Sequence, residues 1–325
     1  MSDKAFELLA RINDGQAHSG EALAEEFQVT RAAVWSRVQR LQGLGLEIFA
    51  VPGKGYRLSR PFEFLAADAI RALLRQTARD TLTDLRCVDI IDSTNQQLLQ
   101  QAAHAPVHGH ALLAEYQTAG RGRRGDVWIA PPGSGICLSI GWRFEAPPHT
   151  MSALSLAVGI AVARTAESFG LNDVKLKWPN DVQHHGRKLA GILIEMRAEY
   201  GGPSTVVIGV GLNAHIPESV RAQISQPVAD LCEALADPPG RNRIAAALLS
   251  DLVEVLQQFT AHGFHPFVDE WARYDALRGH RVQLELPDRV VTGRAEGVDP
   301  SGMLVITHAD GIEKFLSGHV RIVTA

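Results

Sequence analysis

The hydrophobic period of this chain changes twice along its length. Residues 4–60 run mainly at helical spacing, residues 64–275 mix helical and strand spacings, and residues 279–325 hold only short alternating runs broken at PDR, DPSG and ADG. Helices and strands bury faces of different repeat, so a chain patterned in this way divides into units, each built around its own apolar face. Its 325 residues suffice for two or three domains. The breaks place them at 1–63, 64–277 and 278–325.

The first unit reads as helix, helix, helix, hairpin. AFELLARI has helical periodicity. SGEALAEEF follows, with Ser19 as N-cap and Ala22, Leu23 and Phe27 on one face. VTRAAVWSRVQRLQGLG takes Thr30 as its cap, buries Ala33, Val34, Val38 and Leu41, and ends at Gly43 and Gly45. LEIFAVPGKGYRL gives two short strands around PGKG. This is the pattern of a winged helix-turn-helix. Between Glu26 and Glu47 there is no acidic residue, whereas Arg31, Arg37 and Arg40 fall there and Lys54, Arg57 and Arg60 follow on the wing. Residues 1–60 carry only one more basic than acidic side chain, so the positive charge is concentrated on one helix and the hairpin. A helix of this kind is placed in a DNA major groove, with Thr30, Arg31, Trp35, Arg37, Arg40 and Lys54 as the candidate contacts. A solvated face in a protein-interaction module is the plainer alternative.

The middle unit predicts helices over 66–78, 93–103, 151–169, 241–261 and 265–274, and strands over 86–91, 110–115, 135–143, 174–178, 181–184, 187–196 and 204–213. Their order is not a regular βαβ alternation. It implies an α+β domain with helices largely on one face of a mixed sheet. Residues 216–240, rich in Pro, Ser and Gln, read as loop. The last unit reads as a small all-β barrel. The formal net charge of −4 gives no global attraction to nucleic acid, so any anion contact is local. Cys87, Cys137 and Cys232 are far apart and show no CxxC spacing, which suggests reduced thiols in a cytoplasm. The opening MSDKAFELLA is unlike a signal peptide, and LSLAVGIAVA at 154–163 is too short to cross a bilayer, so no membrane partner is expected.

Four stretches put polar groups and glycines at strand ends, where ligand groups tend to lie: DSTN (92–95), EYQTAGRGRRGDVW (115–128), KWPNDV…GRKLAGILIE (177–195) and GVGLN (209–213). GRGRRG interleaves three arginines with three glycines. Clustered guanidinium groups repel and glycine costs ordering entropy, so an arriving anion is the natural ordering agent. It lacks the GK[ST] ending of a Walker loop, and no GxGxxG opens a helix after a strand. Singly, each stretch has a plain structural reading. DSTN is also a helix cap, KWPND a turn, Lys188 a solvated hairpin residue, Trp128 a core residue and GRGRRG an RNA-binding patch.

Taken in order, DSTN, EYQTAGRGRRG.W, KWPND, RKLAGIL.E and G.GLN resemble the biotin protein ligase family. SGE.L, RAAVW and VPGKGY.L resemble the N-terminal domain of its bifunctional members, the biotin operon repressors. The resemblance covers essentially the whole chain. It implies an α+β protein with an N-terminal winged helix-turn-helix, a central mixed β-sheet with helices of the class II synthetase-like kind, and a C-terminal SH3-like β-barrel. It implies two reactions: biotin and ATP give biotinyl-5′-AMP and pyrophosphate, and a lysine of a biotin carboxyl carrier protein, an acetyl-CoA carboxylase subunit, then takes the biotinyl group and releases AMP. The cofactors implied are biotin, ATP and Mg²⁺. The further partners are operator DNA of biotin synthesis genes and a second copy of the chain, the homodimer being promoted by biotinyl-AMP and sharing its surface with the carrier.

Matched by position, the resemblance gives Ser93, Thr94, Asn95, Gln117, Gly120, Arg121, Arg123, Lys188, Gly191 and Ile192 to biotin. It gives Arg121, Trp128, Asn180, Asp181, Lys188 and Asn213 to the nucleotide, Lys188 and Arg123 to catalysis, and Asp181 to Mg²⁺. Gly318-His319 departs from the family's usual Gly-Glu pair. Two other functions compete: a non-catalytic regulator that senses biotin and binds DNA, and a lipoate or octanoate ligase of related fold. Intact Lys188, Arg123 and KWPND oppose the first, and GRGRRG with RKLAGIL opposes the second.

Overall fold

A computed structural model describes residues 4–145, 151–198 and 203–323. The N-terminal unit contains α1 (Lys4–Ile12), α2 (Gly20–Glu26) and α3 (Arg31–Gly43), followed by the hairpin β1 (Ile48–Val51) and β2 (Gly55–Leu58). Both expected caps form: Ser19 Oγ accepts from Ala22 N at 3.0 Å and Thr30 Oγ1 from Ala33 N at 3.2 Å. Gly45, at φ +92°, follows the end of α3, where a Cβ would strain the chain. Leu8, Leu9, Ile12, Leu23, Val34, Val38 and Leu41 form the core. Ala22 is exposed and Ala24, two residues on, takes the buried place on α2.

Next come α4 (Ala67–Leu73), α5 (Gln76–Thr81), β3 (Asp84–Ile91), α6 (Thr94–Ala102), β4 (His110–Gln117), β5 (Gly135–Phe144), α7 (Leu154–Ser168), β6 (Val174–Lys177), β7 (Asp181–His184), β8 (Arg187–Ala198) and β9 (Ser204–Asn213). After β9 lie α8 (Glu218–Arg221), α9 (Leu231–Ala234), α10 (Arg241–His262) and α11 (Val268–Tyr274). The expected helix over 66–78 is broken. Arg75 is extended, gives its backbone N–H to Ser250 Oγ, and pairs its guanidinium with Asp251 and Glu254. The expected loop over 216–240 includes the two short helices α8 and α9.

The seven strands β3 to β9 form one mixed sheet in the order β3-β4-β5-β9-β8-β7-β6, with only β3 and β4 parallel. Its two faces differ in kind. Ile136, Leu138, Ile140, Val206, Ile208, Val210 and Leu212 point into the main core beneath α7 and α10. α10 is long and apolar enough to cross a membrane by length and composition, but here it forms the centre of that core. The opposite face is covered by α6, whose Leu98 packs on Leu112 and Val207. Beyond α6 this face carries Cys137, Ser139, Gly191, Gly209 and Gly211, small residues that leave a hollow.

Residues 281–322 form β10 (Arg281–Glu285), β11 (Val290–Val298), β12 (Leu304–His308), β13 (Gly311–Phe315) and β14 (His319–Ile322), an antiparallel sheet in the order β13-β12-β11-β10-β14. The sequence suggests a separate small unit, yet Val282, Leu284, Leu304 and Ile306 belong to the same buried cluster as the central domain. Trp178 Nε1 donates to Gly302 O at 3.1 Å, and a Cβ on Gly302 would lie 2.4 Å from that of Ala153. The N-terminal unit is seated by Phe62, Phe64, Ile90 and Tyr116, which pack on its core. Asn13 clamps the Phe62 backbone through bonds of 2.6 and 3.0 Å.

Candidate active site

The hollow is a cavity of about 580 Å³, lined from α6, β4, the glycine–arginine loop, β5, β7 to β9, residues 223–228 and the C-terminal sheet. Ser93 caps α6, its Oγ accepting from Gln96 N at 3.4 Å, so the plain reading of DSTN as a cap holds. The cap also serves to present the next two side chains. Thr94 N donates to Gln117 Oε1 at 2.8 Å, with Thr94 Oγ1 3.1 Å from the same oxygen, and Ser139 Oγ lies 2.7 Å from Thr94 Oγ1 and 2.5 Å from Asn95 Oδ1. Ser93, Thr94 and Asn95 are buried, although all three are polar. Gly209 makes this possible, because a Cβ there would stand 2.4 Å from Asn95 Oδ1.

The glycine–arginine loop is folded back on itself. Gly122 N donates to Asp126 O at 2.7 Å, and Trp128 N donates to Gly120 O at 3.0 Å. Gly120 permits this closeness, since its Cβ would sit 2.4 Å from the Trp128 carbonyl oxygen. Arg124 and Gly125 turn the tip at φ +56° and +87°. Arg121 pairs with Glu195 at 3.0 Å and reaches Gln96 Oε1 at 2.9 Å. Arg123 points inward and donates to Asn180 Oδ1 at 3.3 Å. Burial lowers the Arg123 pKa, the neighbouring charge of Arg124 adds to this, and Asp181 opposes both.

On the far wall Lys188 Nζ lies 2.8 Å from Asp181 Oδ1 and 5.7 Å from the centre of the Trp128 ring. Strand alternation alone would turn Lys188 into the core with Ala190 and Ile192. A register shift between Val182 and Gln183 places an extra residue at Leu189, and Lys188 shares the cavity with Gly191 instead. Asn180 is locked to β8: its Nδ2 donates to Ile192 O, and Ile192 N donates to Asn180 O. Asn213 gives its Nδ2 to Lys188 O and Ala229 O, at 3.1 and 3.0 Å, and so holds the strand that carries the lysine. Trp128 lies over Gly191 and Gly211, and its Nε1 is buried without a hydrogen-bond partner.

The cavity thus gathers Ser93, Thr94, Asn95, Gln117, Arg121, Arg123, Trp128, Asn180, Asp181, Lys188, Gly191, Ile192 and Asn213, with Gly120 at the base of the loop. It also holds groups to which sequence reasoning gave no role. Lys177 ends β6 and opens KWPND, and burial lowers its pKa, with Lys188 adding and Asp181 opposing. Cys137 and Ser139 stand on the floor, and burial pushes the Cys137 thiol up to about 11. Gln223 to Gln226 form part of the rim, and Gly318-His319 reach it from the C-terminal sheet. Small residues alternating with large ones in GICLSI and VIGVGLN were the available signal for the floor. Nothing in the sequence pattern marked 223–226.

At the other end of the molecule α3 exposes Arg31, Trp35 and Arg40, and Lys54 is exposed on the hairpin turn. Trp35 is 56% accessible. Arg37 differs from its expected place: it stacks 5.5 Å from the Phe27 ring centre, with Nη1 buried, because its position on α3 faces α2. It is a packing residue at least as much as a surface charge.

Three family models match in chain order: an HTH domain over residues 4–57, the biotin/lipoate A/B protein ligase family over 87–213, and the biotin protein ligase C-terminal domain over 279–322. The chain is 36% identical to the bifunctional ligase/repressor BirA of Salmonella typhimurium, covering 98% of this chain and 97% of that one. It is 35% identical to the Escherichia coli protein of the same name, with the same coverage. Among solved structures, the biotin protein ligase from Aquifex aeolicus in complex with biotin and ATP aligns with a TM-score of 0.62 at 27% identity, covering 74% of this chain and 100% of that one.

Proposed function

This chain belongs to the biotin/lipoate A/B protein ligase family, and we propose that it is a biotin protein ligase that also acts as a biotin-responsive transcriptional repressor. One observation carries the ligase reading. A single cavity joins a wall of hydroxyl and amide groups to a second wall of Arg123, Lys188, Lys177 and Asp181, under a glycine–arginine loop. The first wall suits the ureido ring of biotin, which is neutral and has both donors and an acceptor. The second suits a carboxylate meeting a phosphate.

In the first step a biotin carboxylate oxygen attacks the α-phosphorus of ATP, the P–O bond to the β-phosphate breaks, and pyrophosphate leaves. Both reactants are anionic. Lys188 and Arg123, preorganised in a largely buried site, offset that repulsion and the charge that develops in the transition state. Asp181 holds the Lys188 ammonium in place before substrate arrives. Bound with the nucleotide, Mg²⁺ would neutralise phosphate charge. Asp181 is the carboxylate that would hold it, which fits an ion that takes one or two carboxylates and completes its shell with phosphate and water. Trp128 covers the adenylate, its indole lying over Gly191 and Gly211. Asn213, whose Nδ2 is held by the backbone of Lys188 and Ala229, acts on the adenine side through the wall it fixes. In the second step the amine of a carrier lysine attacks the acyl carbon, and AMP leaves with the C–O bond electrons. The loop excludes water in the interval, because the mixed anhydride is hydrolysable.

The repressor reading rests on the winged helix-turn-helix and its charge. Arg31, Trp35 and Arg40 on α3 and Lys54 on the wing form the DNA-facing surface, with Thr30 at the start of the helix. One unit of net charge +1 neutralises few phosphates, so two copies on a palindrome supply the affinity. Biotinyl-AMP promotes that dimer, and the carrier protein competes for the same surface. The deciding experiment has two arms. Transfer of labelled biotin to a biotin carboxyl carrier domain must require ATP. Operator binding by the same preparation must rise with biotin and ATP and fall with unmodified carrier domain. Operator binding without transfer would leave a sensing regulator, and transfer of lipoate in preference to biotin would make it a lipoate ligase.

A further inference from the structure

RKLAGILIE ends on Glu195, a residue with no role in the chemistry above. Glu195 is on β8, facing the α6 side of the sheet, and its carboxylate accepts from two directions. Asn95 Nδ2 donates to it at 2.9 Å, and Arg121 pairs with it at 3.0 Å. A carboxylate can only accept, so Asn95 is bound to turn its amide nitrogen toward Glu195. Leu193 O, at 3.2 Å, receives the same nitrogen and reinforces the choice. Asn95 Oδ1 therefore faces Ser139 Oγ at 2.5 Å. That oxygen also can only accept, so the single hydroxyl proton of Ser139 points at Asn95. Ser139, fully buried, then takes the Thr94 hydroxyl proton across 2.7 Å, and the free lone pair of Thr94 Oγ1 is left for the cavity. The amide occupies the space that a Cβ on Gly209 would need, 2.4 Å from Asn95 Oδ1.

We propose that Glu195 is the positioning residue that sets the hydrogen-bond polarity of the biotin wall: acting through Asn95 and Ser139, it makes Thr94 Oγ1 an acceptor toward the ligand, and through Arg121 it ties the glycine–arginine loop to the same network. This rests on the biotin reading of the cavity. An acceptor at Thr94 matches an N–H of a cyclic urea. A donor there would oppose it. The charge of Glu195, not its size, carries the effect, because a neutral amide at this position can offer its own N–H to Asn95 and let the Asn95 amide turn over. Ser139 would then accept from Asn95 and give its proton to Thr94 Oγ1, whose own proton would turn away from Ser139 and toward the cavity.

Glu195→Gln is nearly isosteric and tests this directly. Biotin-dependent pyrophosphate release is measured on the full chain, varying biotin and ATP separately, with thermal unfolding as the check on folding. The expected result is a rise in the KM for biotin of about tenfold to a hundredfold, the size of one hydrogen bond reversed in polarity, with the KM for ATP within about twofold. The double variant Asn95→Asp/Glu195→Gln restores an acceptor facing Ser139, while the amide introduced on β8 supplies the N–H. It is expected to recover most of the biotin KM, which a merely structural loss would not do. A Glu195→Gln protein with unchanged biotin KM, or a double variant worse than both singles, would overturn the inference while the wild-type signal upholds the biotin reading. A wild-type chain that releases no pyrophosphate with biotin overturns both together.

Discussion

Gly211 offers the sharpest test of how the cavity is built. Its φ is not in the positive range and it lies in a regular strand, so alanine is tolerated by the backbone and any effect comes from one methyl group. That methyl would stand 2.3 Å from Trp128 Cε2, 2.5 Å from Cζ2 and 2.7 Å from Nε1. Carbon contacts settle near about 3.5–4.0 Å, so the indole must retreat by about 1.2 Å or more. The strand cannot yield instead, because β9 is hydrogen-bonded to β5 on one side and β8 on the other. Overpacking of this kind costs about 1–3 kcal/mol. A displacement of about 1 Å at a wall that positions reacting groups lowers the rate by about a hundredfold. The assay is thermal unfolding together with biotin-dependent pyrophosphate release for Gly211→Ala, Trp128→Ala and the double variant. In the Trp128→Ala background the methyl meets open space, so adding Gly211→Ala is expected to change stability by less than about 0.5 kcal/mol. An equal penalty in both backgrounds would refute the clash, and with it the claim that Gly211 is glycine to admit the indole.

Lys188→Ala is expected to lower pyrophosphate release by about 10²–10³-fold, the effect of removing one preorganised transition-state contact, with an unchanged circular dichroism spectrum. Near-normal release from the folded variant would remove Lys188 from the first step. Arg123→Gly is expected to release biotinyl-AMP faster than it weakens biotin binding, so that lysines on unrelated added proteins become biotinylated. Retention equal to the parent's would end the idea that this arginine holds the intermediate. Burial keeps the Lys177 ammonium below its ordinary pKa, so between the lowered and the ordinary lysine values the unfolded chain binds more protons than the folded one. Stability then rises with pH across that alkaline window, and Lys177→Met is expected to abolish the rise while slowing adenylation; denaturant titrations at stepped pH read it. Arg31→Ala is expected to weaken operator binding and reduce its dependence on salt, with biotin transfer unaffected. It is a cleaner probe than Arg37→Ala, since Arg37 also packs on Phe27.

Several features were settled by local chemistry and could be read directly from residue order. Ser19 and Thr30 cap helices because a hydroxyl before an apolar stripe has few better uses, and both caps are present. The break between helical and alternating patterns placed the wing and the C-terminal sheet. The spacing of DSTN, GRGRRG, KWPND and RKLAGIL brought nearly every expected residue to one cavity. Other features depended on contacts that no short window contains. Alternation directs Lys188 into the core, and only the bulge at Leu189 against β7 turns it to the cavity. Arg37 looked like a surface charge because its partner Phe27 is ten residues away on another helix. The C-terminal sheet read as a separate unit, yet its core is continuous with the central one, since Trp178 and Ala153 meet Gly302 across more than a hundred residues. Glu195 showed only as the end of a motif; its part in orienting Asn95 exists because β8 and α6 cross at that point. Caps, turns and periodicity depend on neighbours within about one turn or one strand pair, which the sequence states. Side-chain facing and hydrogen-bond direction depend on register and on which strands adjoin, and those are decided only when the sheet closes over its core.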